Sequence, residues 1–199
     1  MNISSLITYL RICFPRLPIE HWAAIIVLSS VITVLFNIRN STSISSFISF
    51  GATVFITLFL LDATIGIRLS GERLHNPCID IYAEYLRLVH GNKGHRFLLL
   101  FNLVAFIPFG FFLYIFVNSS WSVNLRQRLK CIFYSTLGFS FSIEFFQMIL
   151  RIGYFELTDL VLNTIGGLVG AFSAIMALAI CSCVNGQLTL PISALRREQ

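Results

Sequence analysis

The strongest constraint on this chain is a series of apolar runs, each about as long as a bilayer is thick. Residues 97–117, FLLLFNLVAFIPFGFFLYIFV, hold no charged side chain in 21 positions. About 20 helical residues, rising about 1.5 Å each, cross roughly 30 Å of hydrocarbon. Runs of the same kind lie at about 21–38, 46–67, 131–150 and 158–184. A soluble helical core would show polar faces at helical spacing across such runs, and these do not. The chain is 56% hydrophobic and 12% charged, with a mean hydropathy of +0.82, well outside the composition of soluble domains. The expected fold is all-α: a polytopic transmembrane helix bundle of five spans forming a single membrane domain over 1–199.

The remaining segments narrow the function classes. Residues 1–20 are short, mixed and interrupted by Pro15 and Pro18, which suits an interfacial amphipathic turn better than a span. No small-residue cleavage pattern follows the first apolar run, so that run reads as a retained span, with Trp22 at an interface. The polar stretch 68–96 is expected to hold a short surface helix over about Ile79–Val89. Its His75, His90 and His95 share the loop with Glu72, Asp80 and Glu84, at spacings that fit no metal-ligand motif. The five cysteines, Cys13, Cys78, Cys131, Cys181 and Cys183, are odd in number and scattered, and read as small core residues. No nucleophile elbow, phosphate loop or zinc-helix motif is present, so neither a metal nor a cofactor is expected.

A net charge of +5 in such a chain points to cytoplasmic loops and anionic headgroups rather than to nucleic acid. Membrane lipids are therefore the expected partners. Lys and Arg number eight on one side of the expected topology and six on the other, which does not fix orientation. The 118–130 loop carries three cations and no acid, and this favours the cytoplasm for that side.

Polar residues inside the apolar half are the candidate site. In the fourth run Ser140, Glu144, Gln147 and Arg151 are separated by four, three and four, which stacks them on one helix face. In the fifth, Asp159, Asn163, Gly166 and Gly170 repeat that spacing. The last two form a small-xxx-small seam along which a neighbouring backbone can approach. The short turn between the runs predicts an antiparallel hairpin, with Gly153 as helix stop and Thr158 as N-cap. Asn102 enters from the same end if the helices alternate, and Pro108 is expected to kink its helix and free a carbonyl.

For Asp159 and Arg151 taken alone, helix-end electrostatics competes evenly with function. Glu144 is different. It sits about 9 Å below the helix end, where a carboxylate costs about 2.5–3.5 kcal/mol unless it is protonated, paired or facing water. Asp62, near the end of its run, reads as a rim salt bridge with Arg68.

The stretches FNLVAFIPFGFFL (101–113) and SIEFFQMILRIGYFELTDLVLNTIGGLVGAF (142–172) resemble the VanZ-like family, named for a bacterial protein associated with teicoplanin resistance. The resemblance rests on Asn102 ahead of Phe106–Gly110, on the pair Glu144 and Gln147, and on Asp159, Asn163, Thr164, Gly166 and Gly167. It covers about residues 97–180, leaving the spans within 21–67 and the loop 68–96 outside it. The usual N-L-x-P-F stretch upstream is replaced here by HNPCIDIY. The resemblance implies a multi-pass protein of the bacterial cytoplasmic membrane. Pro108, Gly110, Gly166, Gly167 and Gly170 are expected to serve helix packing.

Two functions fit these residues. One is a binding module for an envelope lipid or lipid-linked cell-wall precursor, with Arg151 pairing a phosphate and Asn102, Gln147 and Asn163 orienting it. The resemblance adds an effect on glycopeptide susceptibility. The other is an intramembrane hydrolase or transferase, with Glu144 as acid–base and Asp159 as its ionised partner. A proton-coupled carrier would need a second buried acid, for which Asp62 is the only candidate.

Overall fold

The computed structural model describes residues 19–40, 43–70, 89–90 and 93–184. The expected interfacial turn before residue 19, the surface helix over 79–89 (apart from its last residue), most of the histidine-bearing loop and the polar tail lie outside them.

Every apolar run becomes a helix, and no strand occurs among the described residues. The order is α1 (Ile19–Asn40), α2 (Ile44–Leu61), a π-helical segment (Asp62–Gly66), a 3-10 turn (Ile67–Ser70), α3 (Lys93–Ser120), α4 (Leu125–Ile149) and α5 (Leu157–Val184). Among the described residues, four helical stretches are long and apolar enough to cross a membrane: Glu20–Asn40, Ile44–Gly66, Leu99–Ser120 and Leu157–Cys183. The fourth of the five expected spans, α4, is not one of them. Its 25 residues reach about 37 Å, but Arg126, Arg128 and Lys130 open it and Thr136, Ser140, Glu144 and Gln147 stripe its buried face. Contacts with α5 and α3 hold it in the bundle and cover that stripe.

The helices alternate in direction. Short connections join α1 to α2 and α3 to α4, and Ser46 at the start of α2 is hydrogen-bonded to Ser120 at the end of α3. At the opposite end His21, the π segment, the end of α4 and the start of α5 come together. Helices α3 and α5 run parallel and form the most extensive packing pair among the described elements. Glycine explains how close they come. A Cβ on Gly166 would fall on the Leu103 carbonyl oxygen, one on Gly170 on that of Ile107, and one on Gly110 on that of Gly167. Gly167 in turn faces the Thr136 side chain of α4. Pro108 points outward, and α3 continues unbroken through it.

Interior and surface are distributed as lipid demands. Ile26, Val27, Val31, Leu35 and Ile38 of α1 are exposed, whereas Ser29, Thr33, Ser46, Ser49, Thr53, Thr136 and Ser140 are buried. Apolar side chains lose nothing by facing acyl chains, while small hydroxyls allow close packing. Several of these hydroxyls donate to carbonyls one turn back in their own helix, as Thr33 does to Ser29 and Thr53 to Ser49, which satisfies those donors without water. Two apolar clusters fill the rest: Leu60, Phe106, Phe109 and Ile143 with Phe139 towards one end, and Tyr114, Val117, Ile132, Ala171 and Ala174 towards the other.

Candidate functional site

The end of the bundle where α4 turns into α5 holds the polar residues. Asn124 and Gln127 start α4 with a reciprocal capping box. The helix finishes in a Schellman arrangement, in which the Ile152 N–H donates to the Gln147 carbonyl at 2.9 Å and the Arg151 N–H to that of Met148 at 3.1 Å. The left-handed residue such a stop requires is Arg151, at φ 57°, rather than the expected Gly153. Arg151 is thus an exposed turn residue and leaves the row begun by Ser140, Glu144 and Gln147. Gly153 sits in a tight space: a Cβ there would lie 3.1 Å from Gln147 Oε1 and 3.2 Å from an Arg68 guanidinium nitrogen.

Glu144 is 3% exposed and turned inward. Its Oε2 accepts the backbone N–H of Glu156 at 3.0 Å. Glu156, not Thr158, is the N-cap of α5, its carbonyl accepting the Leu160 N–H at 3.3 Å. In an ordinary capping box the third helical residue, here Asp159, accepts the N-cap amide. Glu144 supplies that acceptor from the preceding helix and ties the hairpin shut. Asp159, Glu156 and Arg68 are all within electrostatic reach of its carboxyl.

Gln147, 4% exposed, donates from Nε2 to the Thr64 carbonyl at 3.1 Å. Thr64 belongs to the π segment at the end of α2, where terminal carbonyls lack helical partners. Asn163, also 4% exposed, donates to Ser140 Oγ at 2.9 Å, and its amide oxygen has no hydrogen-bond partner among the described residues. Asn102 is half-buried on α3, one residue before Leu103, and so stands near the level of Gly166.

Glu144, Gln147, Asp159 and Asn163 therefore gather at one end from α4 and α5, with Asn102 on the third helix there and Arg151 at the rim. Two participants carry no signal in local spacing. Arg68 returns over Gly153 from the 3-10 turn, and the Thr64 carbonyl is presented by the π distortion. The expected Asp62–Arg68 pair is replaced by another: His21 Nδ1 lies 3.0 Å from the Asp62 carboxylate, because the start of α1 meets the end of α2 while Arg68 turns towards α4. Beside this pair Trp22 stacks on Phe59 at 5.3 Å. No cluster of metal-ligating side chains occurs among the described residues.

No curated protein and no solved structure matches the chain. A family model, VanZ/LLP1, matches residues 21–179 and so takes in α1 and α2 as well as the half that holds the polar end. A match over most of the chain, on an all-helical bundle with four membrane-grade helices, makes this a VanZ-like membrane protein, and the chain belongs to the VanZ/LLP1 family.

Proposed function

We propose that the polar end is a recognition site for a phosphate-bearing envelope lipid or lipid-linked cell-wall precursor, at the outer face of a bacterial cytoplasmic membrane. Arg151 carries this reading. A non-glycine residue in the left-handed region costs about 1 kcal/mol, and glycine in that place would remove the cost. The Arg151 side chain is exposed and forms no ion pair among the described residues. Strain kept at an exposed cation, next to a buried polar cluster, is what a site that needs the guanidinium would hold. Arg68 stands across Gly153 from Gln147, beside the turn that holds Arg151, and would offer a second guanidinium to an anion bound there. Asn102 and Asn163 supply amide groups beneath it. Sequestering such a precursor is the route by which a protein of this kind would alter glycopeptide susceptibility.

The test is binding of purified protein in detergent to a lipid-linked precursor, measured against bulk phospholipid. Preferential binding that falls on Arg151→Ala supports the reading. Equal binding of both lipids, with wild type and variant alike, overturns it.

A second reading, an intramembrane hydrolase or transferase, is favoured by the Glu144 and Asp159 carboxyls lying within electrostatic reach of one another. Glu144→Gln keeps an oxygen to accept the Glu156 amide but cannot transfer a proton. Loss of a susceptibility phenotype in a variant that still folds and binds would favour catalysis.

A further inference from the structure

The opposite end of the bundle carries a second lipid-facing feature that this polar end does not use. A groove of about 470 Å³ elsewhere, between α1, α2 and the end of α4, is bordered by Asp62 and otherwise apolar. It offers no group to select an occupant. The groove at the start of α4, about 430 Å³, is different. Leu129, Phe133 and Leu168 of α5 line it with hydrocarbon and aromatic surface, and Arg126, Lys130 and Tyr134 form its other row. Those three residues are spaced four apart, so they stack along one face of α4 over about 12 Å. Arg126, Lys130 and Tyr134 are all exposed.

Neither cation has an ion-pair partner among the described residues, and the stretch 118–130 contains no acid at all. The neighbouring Arg128 is committed elsewhere, donating to Asn118. Trp121 stands exposed just before α4, beside the basic end, where an indole ring suits the headgroup layer.

We infer that this groove is a site for one anionic phospholipid, its phosphate held between Arg126 and Lys130 and an acyl chain laid along Phe133, Tyr134 and Leu168. Charge complementarity selects the occupant: a zwitterionic lipid brings its own cation to the same two side chains, whereas phosphatidylglycerol does not. The apolar row continues the cations in the direction an acyl chain takes from its headgroup, and a soluble phosphate would leave that row unused. Such a lipid would anchor α4, the least apolar helix of the five, at its basic end.

The full-length protein, purified in mild detergent and titrated with phosphatidylglycerol or phosphatidylcholine under native mass spectrometry, tests this. Wild type should retain phosphatidylglycerol in preference. The double substitution Arg126→Gln and Lys130→Gln should lower its apparent affinity by roughly tenfold or more, two cations being removed from one anionic headgroup. Phosphatidylcholine should be little affected. Arg39→Gln, which removes an exposed cation that does not line this groove, should leave phosphatidylglycerol retention unchanged. Equal retention of both lipids by wild type overturns the inference. Undiminished phosphatidylglycerol retention in a double variant with wild-type thermal stability also overturns it, as would a protein dimer lost in that variant with no change in lipid retention.

Discussion

The carboxyl of Glu144 caps the helix that follows its own, accepting the Glu156 N–H at 3.0 Å from twelve residues upstream. A buried acid in a membrane helix is thereby given a structural task as well as its place in the site. Removing it strands a half-buried backbone donor, a loss of about 1 kcal/mol. Glu144→Ala should therefore lower thermal stability in detergent clearly, and Glu144→Gln much less, because the amide oxygen still accepts. Melting curves of both variants check this. Equal losses would mean that the carboxyl's charge, not its hydrogen bond, holds the hairpin.

The glycine seam gives a prediction with an internal control. Gly166→Ala places a methyl group on the Leu103 carbonyl and Gly170→Ala one on that of Ile107, both backbone atoms that cannot swing aside. Forcing α3 and α5 apart should cost about 1–3 kcal/mol at each position. Gly138 on α4 has nothing within 4 Å of its would-be Cβ. Gly138→Ala should instead gain roughly 0.5–1 kcal/mol, the difference in helix propensity. Unfolding of the three single variants by denaturant in mixed micelles measures both signs at once.

Much of this arrangement is legible in sequence, and the reason is the solvent. Hydrocarbon forces every backbone group into a helix, so a run such as 158–184 predicts a helix that falls at Leu157–Val184 almost to the residue. The four-three-four spacing likewise puts Ser140, Glu144 and Gln147 on the buried face of α4. Pairings between helices are another matter. Nothing in periodicity tells Asp62 to meet His21, 41 positions away, rather than Arg68, six positions along the same strip of chain. The π segment at Asp62–Gly66 is equally silent, since its residues fit an ordinary helix end. Arg151 misled for a simpler reason: Gly153 looked like the helix stop, and only the carbonyl geometry shows that the left-handed turn comes two residues earlier.

Gln147 joins α4 to the distorted end of α2 through the Thr64 carbonyl. If that bond is what holds the π segment and Arg68 in place, Gln147→Leu should do two things. It should cost about 1 kcal/mol for the lost hydrogen bond and the unpaired carbonyl. It should also raise amide hydrogen exchange selectively over 62–70, with α5 unaffected. Exchange followed by mass spectrometry resolves those segments. A uniform increase across the bundle would show that Gln147 serves general packing instead.

Arg151 separates stability from function most sharply. Its φ of 57° is a conformation that glycine adopts freely, and its side chain has no ion pair among the described residues to lose. Arg151→Gly should therefore raise stability by up to about 1 kcal/mol, whereas Arg151→Ala keeps the strain and should be close to neutral. If the guanidinium grips a phosphate at the rim, both variants should lose precursor binding to the same extent, roughly tenfold or more for one charge-assisted contact. The glycine variant would then be the more stable and the less active protein. Retained binding in a stabilised Arg151→Gly protein would leave the strain at this turn without a functional reason and would remove Arg151 from the site.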